Sequence, residues 1–105
     1  MEFLVEFEVH VPDGAQASEV EVRKSAEASA AARLVDEGHL VRLWKPPGET
    51  KALGLFRADS EAQLAGLLGA LPLSDWMNIT VTTLEAHPND PVSQATVSAA
   101  AGSQQ

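Results

Sequence analysis

The chain has 105 residues, 45% of them hydrophobic and 21% charged, which suits one small domain with a core and leaves no room for two. A net charge of -8 argues against a nucleic-acid binder or a protein that docks on an anionic membrane. The absence of cysteine excludes disulfides, thiolate zinc sites and a cysteine nucleophile.

Taken in chain order, residues 2–11 alternate. Phe3, Val5, Phe7, Val9 and Val11 face one way, and Glu2, Leu4, Glu6, Glu8 and His10 face the other. This is the period of a strand with one apolar face, and Pro12-Asp13-Gly14 ends it. The acids inside this stretch rule out a signal peptide, so a cytoplasmic protein is expected. Residues 18–37 read as a helix, with Ser18 and Glu21 spaced as a capping box. Ala26, Ala30 and Ala31 would let this helix approach a sheet closely, and Gly38 would close it.

A second strand is expected over 39–45 (HLVRLWK), a turn at Pro46-Pro47-Gly48-Glu49, and a third strand over 51–57 (KALGLFR), the two strands forming a hairpin. Ser60 and Gln63 would cap a second helix whose apolar face is Leu64, Leu67, Leu68 and Leu71, ended by Pro72. The β-branched stretch 76–86 is a fourth strand, in which Trp76-Met77 reads as packing. The chain then divides into a domain over 1–88 and a tail over 89–105, expected to be flexible or strapped onto a neighbouring subunit.

The order β-α-β-β-α-β predicts an α+β fold, a ferredoxin-like sandwich with a four-stranded antiparallel sheet and two helices on one face. The second strand is apolar on both sides, with Leu40, Arg42 and Trp44 on one and Val41 and Leu43 on the other. Two readings follow. The chain self-associates through sheet and edges into a homo-oligomer, or it is a monomer with a few exposed apolar side chains.

No nucleophile motif, phosphate loop or dinucleotide fingerprint is present. His10, His39 and His87 lack metal-ligand spacing, so no metal is expected. Lys24 and Glu27 lie three apart on one helix face. They form either a solvated ion pair or a base beside a cation, able to take a proton next to a carbonyl and to hold the resulting enolate. Arg42 and Trp44 either receive a small organic anion, or Trp44 anchors the core or an interface while Arg42 neutralises Glu6 or Glu8.

These residues stand in an order that resembles the muconolactone delta-isomerase family. The resemblance runs through the M-x-F-x-V opening (Met1, Phe3, Val5), Pro12, Lys24-x-x-Glu27, Arg33-Leu34, Glu37-Gly38, Leu43-Trp44 and Gly48. It continues through Phe56, Ser60, Leu71-Pro72-Leu73, Met77 and His87-Pro88. The resemblance implies a cofactor-free isomerase of the β-ketoadipate route of aromatic breakdown, assembled as a decamer. Its reaction would be a double-bond shift by proton transfer in a small anionic lactone such as muconolactone. Glu27 and Lys24 match the catalytic positions. Arg42, Trp44, His39 and Ala52 are the expected substrate-binding residues. After Gly48 the family tends to carry polar and aromatic groups, whereas this chain has Thr50, Ala52 and Leu53, which implies a more apolar pocket. Two other readings remain open: a same-fold isomerase, cyclase or dehydrohalogenase acting on another small carbonyl compound, and a non-catalytic binding module.

Overall fold

A computed structural model of the chain describes residues 1–92; the expected tail falls outside the described residues from position 93 on. The elements run β1 (Glu2–Val9), α1 (Ala17–Asp36), β2 (Leu40–Trp44), β3 (Lys51–Arg57), α2 (Glu61–Gly69), a 3-10 turn (Ser74–Trp76) and β4 (Met77–Leu84). The sheet order is β2-β3-β1-β4 and every pairing is antiparallel, the α+β ferredoxin-like arrangement.

The alternation in β1 sets the two faces of the sheet. Phe3, Val5 and Phe7 are buried, and Phe3 and Val5 lose all solvent contact. In register with them on the same face are Phe56, Gly54 and Ala52 of β3. Leu34 of α1 and Leu64, Leu68 and Leu71 at α2 close this face into one core. Fully burying such side chains contributes about 1.5–3 kcal/mol each, the main favourable term for a domain this small. Val9 is only half-buried and Val11 is exposed, because the strand stops before the Pro12–Gly14 turn.

Helix α1 presents Val20, Arg23, Glu27, Ala30, Ala31 and Leu34 at helical spacing, all at least partly buried, while Ala26 faces solvent. Its first turn departs from expectation. The N-cap is Gln16, with no side-chain cap bond, and Val20 N–H closes the first turn onto the Gln16 carbonyl at 3.0 Å. Ser18 therefore lies inside the helix and cannot cap it. Gly38 ends α1 at φ +81, where an L side chain would be strained. At α2, Ser60 Oγ accepts from Gln63 N–H at 3.0 Å, whereas Gln63 Oε1 accepts from Asp59 N–H instead of the cap residue's own. The β2–β3 turn closes by Glu49 N–H to the Pro46 carbonyl at 3.3 Å, with Gly48 at φ +75 supplying the left-handed corner.

The edge strand β2 contains the largest correction to the expected pattern. Leu40 pairs with Phe56 and Arg42 pairs with Leu55, so Val41 is an extra residue, a β-bulge. Beyond the bulge, Leu43 opposes Gly54 and Trp44 opposes Leu53. A residue opposite Gly54 lies on the helix side, and residues opposite Leu55 and Leu53 lie on the outer face with Leu4 and Glu6. Leu40 and Leu43 therefore look toward the helices, while Arg42 and Trp44 look away. Trp76, expected in a strand, is buried in the 3-10 turn that precedes β4.

Candidate active site

Between α1, the helix-side face of the sheet and the segment after α2 lies a cleft of about 230 Å³. Its walls are Phe7 and Val9 of β1, Leu40 and Leu43 of β2, Ala52 and Phe56 of β3, Ala31 and Leu34 of α1, and Leu71, Leu73 and Met77. Phe7 and Phe56 meet at a ring-centroid distance of 5.8 Å with planes tilted by 55°, giving the cleft a stiff aromatic floor. That floor depends on Gly54: a Cβ there would stand 2.6 Å from Phe56 Cε1.

Two polar side chains line this cleft, Glu27 and Thr50. Thr50 Oγ1 donates to Glu8 Oε2 at 3.3 Å. Glu27 projects from the middle of α1 and is half-buried; its Oε1 accepts from the Leu73 backbone N–H at 3.0 Å. Burial among apolar walls raises its proton affinity above that of an ordinary glutamate, and the Leu73 amide, which favours the ionised form, opposes that rise in part. A carboxyl placed this way is suited to taking a proton and giving it back.

The other expected site residues are distributed. Ala52 lines the cleft beside Glu27. Lys24 is exposed on α1, one turn before Glu27, and among the described residues makes no ion pair. Arg42 lies over the Trp44 ring at 5.2 Å, so these two do meet, but on the outer face of the sheet and not at the cleft of the same chain. The physical reason is the bulge at Val41, which reverses the facing of every β2 residue after it. His39 is also away from the cleft. Its Nδ1 donates to the Arg57 carbonyl at 2.8 Å, its N–H to Leu34 O at 2.9 Å, and its carbonyl accepts from Arg57 N–H at 2.7 Å, tying the end of α1 to β3. Among the described residues no group of three or more His, Cys, Asp or Glu is placed to hold a metal ion.

Two elements of the site carry little sequence signal. The Leu73 N–H is a backbone group, and only its place after Pro72, where α2 has ended, hints at a freed amide. Leu43 enters the cleft only because of the bulge.

The fold and the cleft together define a class: a ferredoxin-like α+β enzyme that holds one carboxylate against apolar walls. Residues 1–90 match the muconolactone delta-isomerase family. Muconolactone delta-isomerase 1 of Acinetobacter lwoffii is 33% identical over 89 residues, which cover 85% of this chain and 93% of that one. A muconolactone delta-isomerase of Acinetobacter baylyi is 29% identical over the same shares. A crystal structure of muconolactone isomerase has the same fold with a TM-score of 0.80 at 31% identity, over 85% of this chain and 93% of that one. A dehydrochlorinase of Burkholderia phenoliruptrix, with a TM-score of 0.60 at 14% identity, over 86% of this chain and 99% of that one, shares the fold alone. The chain belongs to the muconolactone delta-isomerase family, and it is an isomerase. No helix among its described residues is long and apolar enough to cross a membrane.

Proposed function

We propose that this isomerase shifts the ring double bond of a small unsaturated lactone of the muconolactone type. Glu27 takes a proton from a ring carbon, the electron pair moves into a dienolate, and the same carboxyl returns a proton to a carbon two positions away. The lactone is neither oxidised nor reduced, so the step calls for no cofactor. The observation that carries this reading is the Glu27 carboxylate at the wall of an otherwise apolar cleft, where burial makes it a stronger base than a solvated glutamate. Lys24, one turn away on the same helix, supplies the cation for the dienolate oxygen or the substrate carboxylate.

Arg42 and Trp44 face the other side of the sheet, so they reach a substrate only where a second copy of the chain brings a cleft to that face. The half-exposed Leu4, Leu53 and Leu55 beside them favour such self-association into a homo-oligomer, up to the decamer of the family. A cytoplasmic location belongs to the same proposal.

The test is turnover of (+)-muconolactone by the purified chain, followed by ultraviolet absorbance, with Glu27→Gln alongside. The wild type should convert the lactone, and the variant should lose about 100- to 10,000-fold in kcat while keeping its circular dichroism. Equal rates would refute the role of Glu27. No turnover by a folded wild type would refute the lactone and point to another small carbonyl compound.

A further inference from the structure

The Glu27 carboxylate is aimed by the Leu73 N–H, and Leu73 lies in the short segment that joins α2 to β4. The segment partly closes on itself. Ser74 N–H bonds the Leu71 carbonyl at 2.9 Å, Trp76 N–H bonds the Leu73 carbonyl at 2.9 Å, and Ser74 Oγ donates to the Gly69 carbonyl at 3.1 Å. None of these contacts fixes where the segment sits relative to α1. One side chain does so on both sides of Leu73. Arg23 Nη1 donates to the Pro72 carbonyl at 3.1 Å and to Asp75 Oδ1 at 3.1 Å. The guanidinium carbon lies 4.3 Å from the centroid of the Trp76 ring, a stacked cation on an indole. Glu19, one turn earlier on α1, holds Arg23 Nε at 3.6 Å and steadies it from behind.

Arg23 and Glu27 are four residues apart, on the same face of α1. The helix thus grips the segment with one side chain and receives the amide of that segment with the next. Arg23 does not line the cleft. We infer that Arg23 is a positioning residue for this site: it clamps the Pro72–Trp76 segment and thereby aims the Leu73 N–H at the Glu27 carboxylate. The planar fork and stacking surface of arginine are what the clamp requires; an ammonium supplies the charge without the shape.

The inference rests on the reading of Glu27 as the base, and its consequence is a change in proton affinity. Without the Leu73 amide, burial acts unopposed and the carboxyl keeps its proton to higher pH. On its own helix Glu27 is accompanied by Glu19, Glu21, Arg23, Lys24, Arg33 and Asp36, of which Arg23 and Lys24 lie one turn before it, and the segment carries Asp75. The strands that face it contribute Phe7, Val9, Leu40, Leu43, Ala52, Phe56 and Met77, with Thr50 beside them, and no charge.

The decisive experiment follows the Leu73 amide by NMR through a pH titration of leucine-labelled protein, as wild type, Glu27→Gln, Arg23→Lys and Arg23→Gln. In the wild type the amide should shift as Glu27 ionises, and Glu27→Gln should abolish that shift. In both Arg23 variants the amide should largely stop reporting, and the acid limb of kcat/KM should move up by about one pH unit, a tenfold rise in proton affinity. At pH well above that limb, turnover should recover toward wild type. An unchanged amide titration in Arg23→Lys would overturn the inference. So would an acid limb that moves in Arg23→Gln but not in Arg23→Lys, because charge alone would then explain it. If Arg23→Gln fails to fold, Arg23→Lys decides by itself. The base reading fails separately: Glu27→Gln would keep turnover while the Arg23 variants still silence the Leu73 amide.

Discussion

The two faces of the sheet come from the same strands, one residue out of step, and they handle charge in opposite ways. On the outer face, acids are matched with cations: Arg57 Nε meets Glu2 Oε2 at 2.9 Å and Lys51 Nζ meets Glu6 Oε2 at 3.3 Å. Leu4, Leu53 and Leu55 lie half-buried among these pairs. On the helix side, Phe3, Val5, Phe7 and Phe56 remove water, and one acid, Glu27, faces the space that remains. Apolar walls make the Glu27 carboxylate a better base than water would. Of two surfaces that both carry carboxylates, only the dry one is suited to proton transfer.

The sharpest way to break this comparison is to truncate neighbours that differ only in facing. Phe3→Ala should cost about 3–5 kcal/mol in denaturant unfolding, since the ring is wholly buried. Leu4→Ala, one residue on and half-buried on the other face, should cost clearly less; equal losses would mean that the outer face is as much a core as the inner. A smaller effect is expected at Gly54. Gly54→Ala sets a Cβ against the Phe56 ring and should cost about 1–3 kcal/mol. The displaced ring narrows the cleft, so KM should rise more than kcat falls. An unchanged KM would separate the aromatic floor from the substrate.

The smallest effect is on the pH dependence of stability. The folded chain holds the Glu27 proton more tightly than the unfolded chain does. Between the ordinary glutamate value and the raised folded value, the folded state therefore binds more protons. Stability should fall as pH rises through that window. Tm measured across it should decline less in Glu27→Gln than in the wild type. A steeper decline in the variant would show that Glu27 is better solvated than its surroundings indicate.

Most of this framework is legible along the chain because it rests on local rules. The β1 alternation places Phe3, Val5 and Phe7 in the core, Lys51–Arg57 forms a strand over the expected span, and Gly38 and Gly48 adopt positive φ where a helix and a turn end. Glu27 and Ala52 are legible as cleft residues through the family pattern. What stays hidden depends on contacts distant in sequence. The clamp of Arg23 on Pro72, Asp75 and Trp76 spans about fifty positions and leaves no periodic trace. The spacing of Ser18 and Glu21 fits a cap, but the helix begins earlier, at Ala17, after an uncapped Gln16. The facing of Arg42 and Trp44 follows strict alternation only in a regular strand, and β2 is not regular.

Val41 gives the edge strand two possible hands of cards. With the extra residue absorbed where it is, the strand deals Leu43 to the cleft and keeps the guanidinium and indole for the far side. Carried as a regular strand past Leu40, the same five letters would set Arg42 opposite Gly54 and Trp44 opposite Ala52, so a cation and a flat ring would face the cleft. The lining of this pocket can therefore be rewritten without changing the identity of any side chain in it. Where the strand absorbs Val41, and not the order of its residues alone, decides which of them meet the pocket.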